Sequence, residues 1–194
     1  FSNLCDKLDI KQPEWMRVDS MDGATEFASR VGYPVLIRPS YVLSGAAMRV
    51  CGNEKDLITF IKKATEISQD YPVTISKYIL EGKEIELDGV AQAGEIITYA
   101  MSEHIENAGV HSGDATIMFP PQRVYMRTEK NAMQVAQKLC RALQITGPFN
   151  MQFIAIKNEV SVIEMNVRAS RTFPFISKGT RINFARRIVD AIYH

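Results

Sequence analysis

The stretch Glu84-Ile-Glu-Leu-Asp-Gly-Val90 alternates strictly, with Glu84, Glu86 and Asp88 on one face and Ile85 and Leu87 on the other. Side chains on a β-strand point to opposite faces in turn, so this period reads as a strand with one apolar side. Gly94 then supplies a turn and Glu95–Met101 a partner strand, which makes an antiparallel hairpin. Three acids at two-residue steps repel one another unless solvated or bound to a cation. The plainer expectation is that at least two of them face water.

The rest of the chain repeats this pattern with few helices. Pro34–Arg38, Met48–Cys51, Pro72–Lys77, Asp114–Phe119, Asn150–Ile156 and Val160–Met165 read as strands, the last two joined by Lys157-Asn158-Glu159. Residues 2–10, Ala24–Val31, Glu54–Ile67 after an Asn53 N-cap, Thr128–Leu143 and Asn183–Tyr193 read as helices. Pro39–Ala47, Glu103–Gly113 and the Arg-rich Asn166–Gly179 read as loops. Hairpin-like strands with sparse helices give an α+β fold of antiparallel sheets carrying helices. The expected division is a smaller lobe over 1–77, including an N-terminal linker helix, and a larger lobe over 78–194.

Composition excludes several function classes. The 194 residues hold 23 Lys plus Arg against 22 Asp plus Glu, so no basic face suited to nucleic acid or anionic membrane stands out. No apolar run reaches the roughly 20 residues that span a bilayer. Cys5, Cys51 and Cys140 lie far apart and odd in number, which fits reduced thiols better than a disulfide framework. The N-terminus carries no targeting pattern, and a start at Phe1 is expected of a fragment of a longer chain.

Candidate chemistry concentrates in Ile163-Glu-Met-Asn-Val-Arg168, where Glu164, Asn166 and Arg168 share a strand face. A carboxylate and an amide oxygen suit a hard cation, and a guanidinium suits phosphate. The same spacing also describes a wet edge strand with ordinary ion pairs. Arg171 and Lys178 follow closely, so the loop is cationic. In a hairpin of 150–156 with 160–165, Gln152 lies across from Glu164 and is a further candidate ligand. Gly109-Val-His-Ser-Gly-Asp114 is a small-residue loop able to cradle phosphate or to be a plain turn. Arg38-Pro-Ser-Tyr-Val-Leu-Ser-Gly45 follows a strand but lacks the spacing of the familiar phosphate loops.

Taken in order, Arg38-Pro-Ser-Tyr-Val-Leu43, Glu103-His-Ile-Glu-Asn-Ala-Gly-Val-His-Ser-Gly-Asp114, Gly147-Pro-Phe-Asn-Met-Gln152, Glu164-Met-Asn-Val-Arg168 and Arg171-Thr-Phe-Pro-Phe-Ile-Ser-Lys178 resemble the large chain of carbamoyl-phosphate synthetase. The resemblance runs from Phe1 to about Ile192 and is nearest the second, carbamate-phosphorylating half, in its eukaryotic form. It implies an ATP-grasp fold of two antiparallel lobes with flanking helices, and ATP with Mg²⁺ or Mn²⁺ as cofactors. By the same resemblance, Arg38 contacts phosphate, Lys77 and Ile79 flank adenine, and Glu84 holds ribose. Gly109, Val110, His111 and Ser112 would line the nucleotide's far side. Gln152, Glu164 and Asn166 would hold the metal, with Arg168 and Arg171 stabilising the transferring phosphoryl group. Implied partners are the remainder of the large chain and a glutaminase subunit or fused domain. The implied location is cytoplasmic, or mitochondrial for a urea-cycle type. Ser44-Gly45, Met165, Val167, Ser170 and Lys77 depart from the bacterial pattern. The alternatives are another ATP-grasp ligase such as biotin carboxylase, or a nucleotide-binding module without catalysis.

Overall fold

The structure is a computed structural model that describes residues 1–39, 48–67, 73–107 and 115–193. It divides into two units, Pro13–Ile79 and a larger one formed by Phe1–Gln12 with Leu80–His194. Each unit is one antiparallel sheet with helices packed on it.

The smaller unit contains β1 (Trp15–Val18), α2 (Met21–Val31), β2 (Val35–Pro39), β3 (Arg49–Cys51), α3 (Glu54–Ile67) and β4 (Val73–Lys77), where α1 is reserved for the N-terminal helix below. Its strands run in the order β1-β4-β2-β3. Ser20 Oγ caps α2 by accepting from the Gly23 N–H at 3.2 Å. Asn53 Oδ1 accepts from the Asp56 N–H at 3.0 Å, so the expected cap on α3 is present. The helices drop Ala24, Phe27, Ala28, Leu57 and Ile61 onto Val35, Ile37 and Ile75 of the sheet. Spacings of three and four residues place those side chains on one helix face.

In the larger unit, α1 (Ser2–Lys7) precedes β5 (Lys83–Gln92), β6 (Glu95–Asn107), β7 (Ile117–Met118), α4 (Met126–Leu143), β8 (Gly147–Ile156), β9 (Glu159–Asn166), α5 (Phe173–Thr180) and α6 (Phe184–Tyr193). The sheet order is β7-β6-β5-β8-β9. One face carries Ile85, Leu87, Phe149, Met151, Phe153 and Val162, packed under Ala132, Ala136, Leu139 and Cys140 of α4. At one end of the opposite face, Val90 and Ala100 pack with Phe173 and Ile176 of α5 and Phe184 and Ala191 of α6.

Three expectations are corrected, and one strand is added. Residues 1–12 do not join the smaller lobe: Cys5 and Ile10 are buried in the core beneath α4, and the Val162 N–H donates to the Lys11 carbonyl at 2.9 Å. The division therefore falls at Gln12/Pro13 and at Ile79/Leu80, and the N-terminal segment belongs to the larger unit. β1 was not foreseen, since Trp15–Val18 gains its strand character from pairing with β4. β6 continues through Asn107 where a loop was expected, held by pairing along β5 and by the short β7. Finally, Phe173–Thr180 is helical within the presumed Arg loop. Pro174 is tolerated in a first turn, and Phe173 and Ile176 are buried.

Candidate active site

The sheet face opposite α4 is polar where α5 and α6 do not cover it. The antiparallel register sets Glu86 beside Gln152, Gln152 beside Glu164, Asp88 beside Asn150 and Asn150 beside Asn166. Ser102 of β6 lies opposite Glu86 on its other side. The three acids of β5 are not water-facing: Glu84 is 6%, Glu86 3% and Asp88 0% exposed. The alternation was read correctly, but the acids on this face are enclosed by side chains of the neighbouring strands, His104 of β6 and Asn150 and Gln152 of β8.

A β-bulge decides which way Glu164 points. From the turn outward, Ile156 pairs with Glu159, Ala155 with Val160, Ile154 with Ser161 and Phe153 with Val162. Regular pairing would then set Gln152 against Ile163. The register slips by one at that point, and Gln152 faces Glu164. Val162 thus stays in the apolar core while Glu164 and Asn166 join the polar face. An extra residue in one strand is the standard way to re-aim a side chain.

Buried polar groups need partners. Gln152 Nε2 donates to Glu86 Oε1 at 2.9 Å, and Asn166 Nδ2 donates to Glu164 Oε1 at 2.9 Å. These bonds use the amide nitrogens, which leaves the amide oxygens as the acceptor ends. Among the described residues, Glu86 Oε2, Ser102 Oγ and His104 Nε2 are buried and find no hydrogen-bond partner. His104, 1% exposed, lies 3.7 Å from Glu84 Oε2 through Nδ1 and 3.7 Å from Glu86 Oε1 through Nε2. At 3.7 Å the contacts are too long for good hydrogen bonds and are ion pairs when the imidazole is protonated. Burial pulls the imidazole down, but the carboxylates of Glu86, Glu84 and Glu106 outweigh it and raise its pKa. Sequence reasoning left His104 out of the site. The alternation Met101, Ser102, Glu103, His104 would have placed it there once β6 was recognised as strand.

Glu164, Gln152 and Asn166 together offer one carboxylate and two amide oxygens, a donor set that fits a hard cation such as Mg²⁺. Among the described residues no group of three or more His, Cys, Asp or Glu side chains forms a metal cluster. Glu84 lies on the same sheet face, engaged with His104. Arg168 and Arg171 are exposed on the segment between β9 and α5, and Arg168 Nη1 donates to the Ala169 carbonyl at 3.2 Å. Arg38, Lys77 and Ile79 belong to the smaller unit. There Arg38 is half-buried on β2, and Lys77 Nζ donates to the carbonyls of Gly32 at 2.9 Å and Tyr33 at 3.2 Å. Gly109, Val110, His111 and Ser112 lie outside the described residues, as do residues 40–47 of the loop expected over Pro39–Ala47.

The sequence of residues 1–190 matches the family described as carbamoyl-phosphate synthase L chain, ATP binding domain. The chain belongs to this family. Similarity to whole proteins agrees with that carbamoyl-phosphate synthase assignment. The chain is 53% identical over 192 residues to the multifunctional protein URA2 of Saccharomyces cerevisiae, covering 99% of this chain and 9% of that protein. It is 46% identical over 184 residues to the mitochondrial carbamoyl-phosphate synthase [ammonia] of Rattus norvegicus, covering 95% of this chain and 12% of that one. It thus spans only a small part of the curated relatives it matches.

Solved structures bear on the fold alone. Biotin carboxylase of Campylobacter jejuni, in a complex with β,γ-ATP, aligns with a TM-score of 0.82 at 20% identity, over 97% of this chain and 44% of that one. D-alanine–D-alanine ligase of Bacillus anthracis, complexed with ATP, aligns with a TM-score of 0.74 at 15% identity, over 98% and 63%. The expected α+β ATP-grasp fold is the one observed. No described helix is long and apolar enough to cross a membrane.

Proposed function

We propose that these residues form the ATP-binding lobes of a carbamoyl-phosphate synthetase that phosphorylates carbamate. The observation that carries this reading is the placement, through the bulge on β9, of Glu164 beside Gln152 and of Asn166 beside Asn150 on one partly buried polar sheet face. In the reaction a carbamate oxygen attacks the γ-phosphorus of ATP. A P–O bond forms to carbamate, the bond to the β-phosphate oxygen breaks, and ADP leaves. Such a transfer needs positioning and charge neutralisation rather than a covalent nucleophile.

Glu164 would hold Mg²⁺ with its carboxylate, and Gln152 and Asn166 with their amide oxygens. When bound, the ion neutralises phosphate charge. Glu86 fixes the Gln152 amide so that its nitrogen is engaged and its oxygen is available. Arg168 and Arg171 would meet the transferring phosphoryl group bidentately. Glu84 is assigned to the ribose, Arg38 to phosphate, Lys77 and Ile79 to adenine, and Gly109 to Ser112 to the nucleotide's other side. Mn²⁺ is an alternative ion, since the same hard oxygen donors accept it.

The wider protein is inferred from the relatives. They are multifunctional proteins or synthases many times longer than this chain, so the rest of a large chain is the first partner. A glutaminase subunit or fused domain would supply ammonia. The setting we assign is the cytoplasm, or the mitochondrion for a urea-cycle type; the names of some relatives give a mitochondrial place for those proteins.

The test is ATP formation from MgADP and carbamoyl phosphate in the intact protein, with Glu164→Gln beside it. ATP formation that chelation of the metal or the Glu164→Gln change abolishes supports the reading. No ATP from folded protein that binds MgADP contradicts it, and so does an unimpaired Glu164→Gln protein.

A further inference from the structure

Asp88 has no role in the scheme above, yet it is a fully enclosed acid at the centre of the larger sheet. Its Oδ1 accepts from Asn150 Nδ2 at 2.8 Å and meets Ser170 Oγ at 2.6 Å. Its Oδ2 meets Thr172 Oγ1. Ser170 Oγ and Thr172 Oγ1 in turn lie 2.5 Å apart. Three oxygen–oxygen contacts therefore close a ring through Asp88, Ser170 and Thr172.

Each contact of this kind needs one proton between its oxygens. A hydroxyl brings one proton, and an ionised carboxylate brings none. With Asp88 ionised, both hydroxyl protons are drawn to the carboxylate. The two hydroxyl oxygens would then face each other at 2.5 Å with lone pairs only. A protonated Asp88 supplies the missing proton. Its Oδ2–H donates to Thr172, Thr172 donates to Ser170, and Ser170 donates to Asp88 Oδ1, so every contact is filled. Burial and the neighbouring charge of Glu86 push the same way, raising the Asp88 pKa against the pull of its Ser170, Thr172 and Asn150 hydrogen bonds.

The ring lies at a telling place in the chain. Ser170 and Thr172 flank Arg171, and Thr172 is the residue that opens α5. Phe173, next along, is buried with Val90 and Ile176. Arg171 is thus exposed while the residues on both sides of it are tied to β5.

We propose that Asp88 is a positioning residue whose neutral carboxyl closes a three-proton ring with Ser170 and Thr172, fixing the backbone of Arg171 above the polar sheet face. The role rests on the reading of Arg171 as a phosphoryl-contacting group. Asn is a neutral isostere: its NH₂ can donate to Thr172 while its oxygen accepts from Ser170 and Asn150. Ala breaks the ring.

The experiment compares Asp88→Asn and Asp88→Ala with the unaltered intact protein. ATP formation from MgADP and carbamoyl phosphate is measured together with backbone hydrogen exchange at residues 169–172. Asp88→Asn keeps kcat within roughly threefold of the parent. Asp88→Ala loses about a hundredfold in kcat with little change in KM for MgADP, as expected for a misplaced transition-state group. Exchange at 169–172 speeds by about tenfold in Asp88→Ala and not in Asp88→Asn. If Asp88→Ala does not fold, Thr172→Val removes one ring member and is expected to give the same kcat loss, with Thr172→Ser restoring it. Equal damage in the Asn and Ala variants overturns the neutral ring, as does an Ala variant with parental kcat and exchange. Parent protein that makes no ATP overturns the phosphoryl-transfer reading instead, and the exchange comparison still decides whether the ring orders the loop.

Discussion

Gln152 donates its amide N–H to Glu86 Oε1 at 2.9 Å, between two side chains that are each no more than 9% exposed. The bond gives a buried carboxylate a donor and sets the direction of an amide whose oxygen is assigned to the metal. Gln152→Glu replaces the donor with a second carboxylate facing the first. Two such groups cannot both stay ionised at close range without cost. We expect the variant to be about 2 kcal/mol less stable than the parent at neutral pH, the scale of an unsatisfied buried polar group. The deficit shrinks as pH falls through the carboxylate range, because one of the pair then protonates and donates. Urea denaturation at pH 7 and pH 5 checks this, and an equal deficit at both would contradict it.

Arg171 is exposed between two anchored neighbours, so its guanidinium is free to reach a ligand without holding the fold together. Arg171→Ala is expected to lower kcat by roughly a hundredfold while KM for MgATP changes little, since its charge matters most where the phosphoryl group is in transit. Thermal denaturation should be almost unchanged. Weakened nucleotide binding at a normal rate would place Arg171 in ground-state binding instead.

Sequence reading reached the antiparallel α+β architecture because period-2 patterning survives in the strands that matter most. Gln152 opposite Glu164 was expected, and the structure pairs them. What was not legible is how that pairing arises. Regular alternation puts Val162 and Glu164 on one face, and only the bulge separates a core valine from a site carboxylate. Bulges depend on long-range pairing and leave little local trace. The burial of Glu84, Glu86 and Asp88 was missed for a related reason. Asn150 and Ser170, which bond Asp88, and Gln152, which bonds Glu86, lie more than about 60 positions away. His104 beside Glu84 sits on a stretch read as loop, and alternation alone does not say which face meets solvent. The place of residues 1–12 was hidden in the same way, since Cys5 and Ile10 carry no mark of the core they enter.

Gly89 shows how tightly the apolar face is built. It pairs with Phe149 across β5 and β8, and a Cβ added to it would lie 2.5 Å from Phe149 Cζ and 2.7 Å from Cε1. Phe149 is itself fully buried in the core under α4, so the ring has nowhere to swing. Gly89→Ala is expected to cost about 1–3 kcal/mol, the usual range for overpacking a filled core. The double variant with Phe149→Leu should recover part of the loss. Denaturation midpoints test both, and a neutral Gly89→Ala would show that the ring has room to move.

Cys140 sits on the buried face of α4 at 0% exposure. Burial, reinforced by the charge of Glu95, pushes its thiol from the ordinary 9.0 up to about 12. Burial raises the thiols of Cys5 and Cys51 as well. An unfolded chain loses these protons near pH 9 while the folded chain keeps them. Between the two values the unfolded state binds fewer protons, so stability falls as pH rises. No such slope exists well below pH 9, where both states are protonated. The contribution of one thiol is at most about 1.4 kcal/mol per pH unit. Cys140→Ala should therefore have a shallower loss of stability between pH 9 and pH 10.5 than the parent, whatever its stability at pH 7. Part of the slope remains, from Cys5, Cys51 and Tyr33, whose hydroxyl is also raised by burial. Urea midpoints across that range decide the matter. Parallel pH profiles for the parent and Cys140→Ala would mean that the Cys140 thiol ionises alike in the folded and unfolded chains.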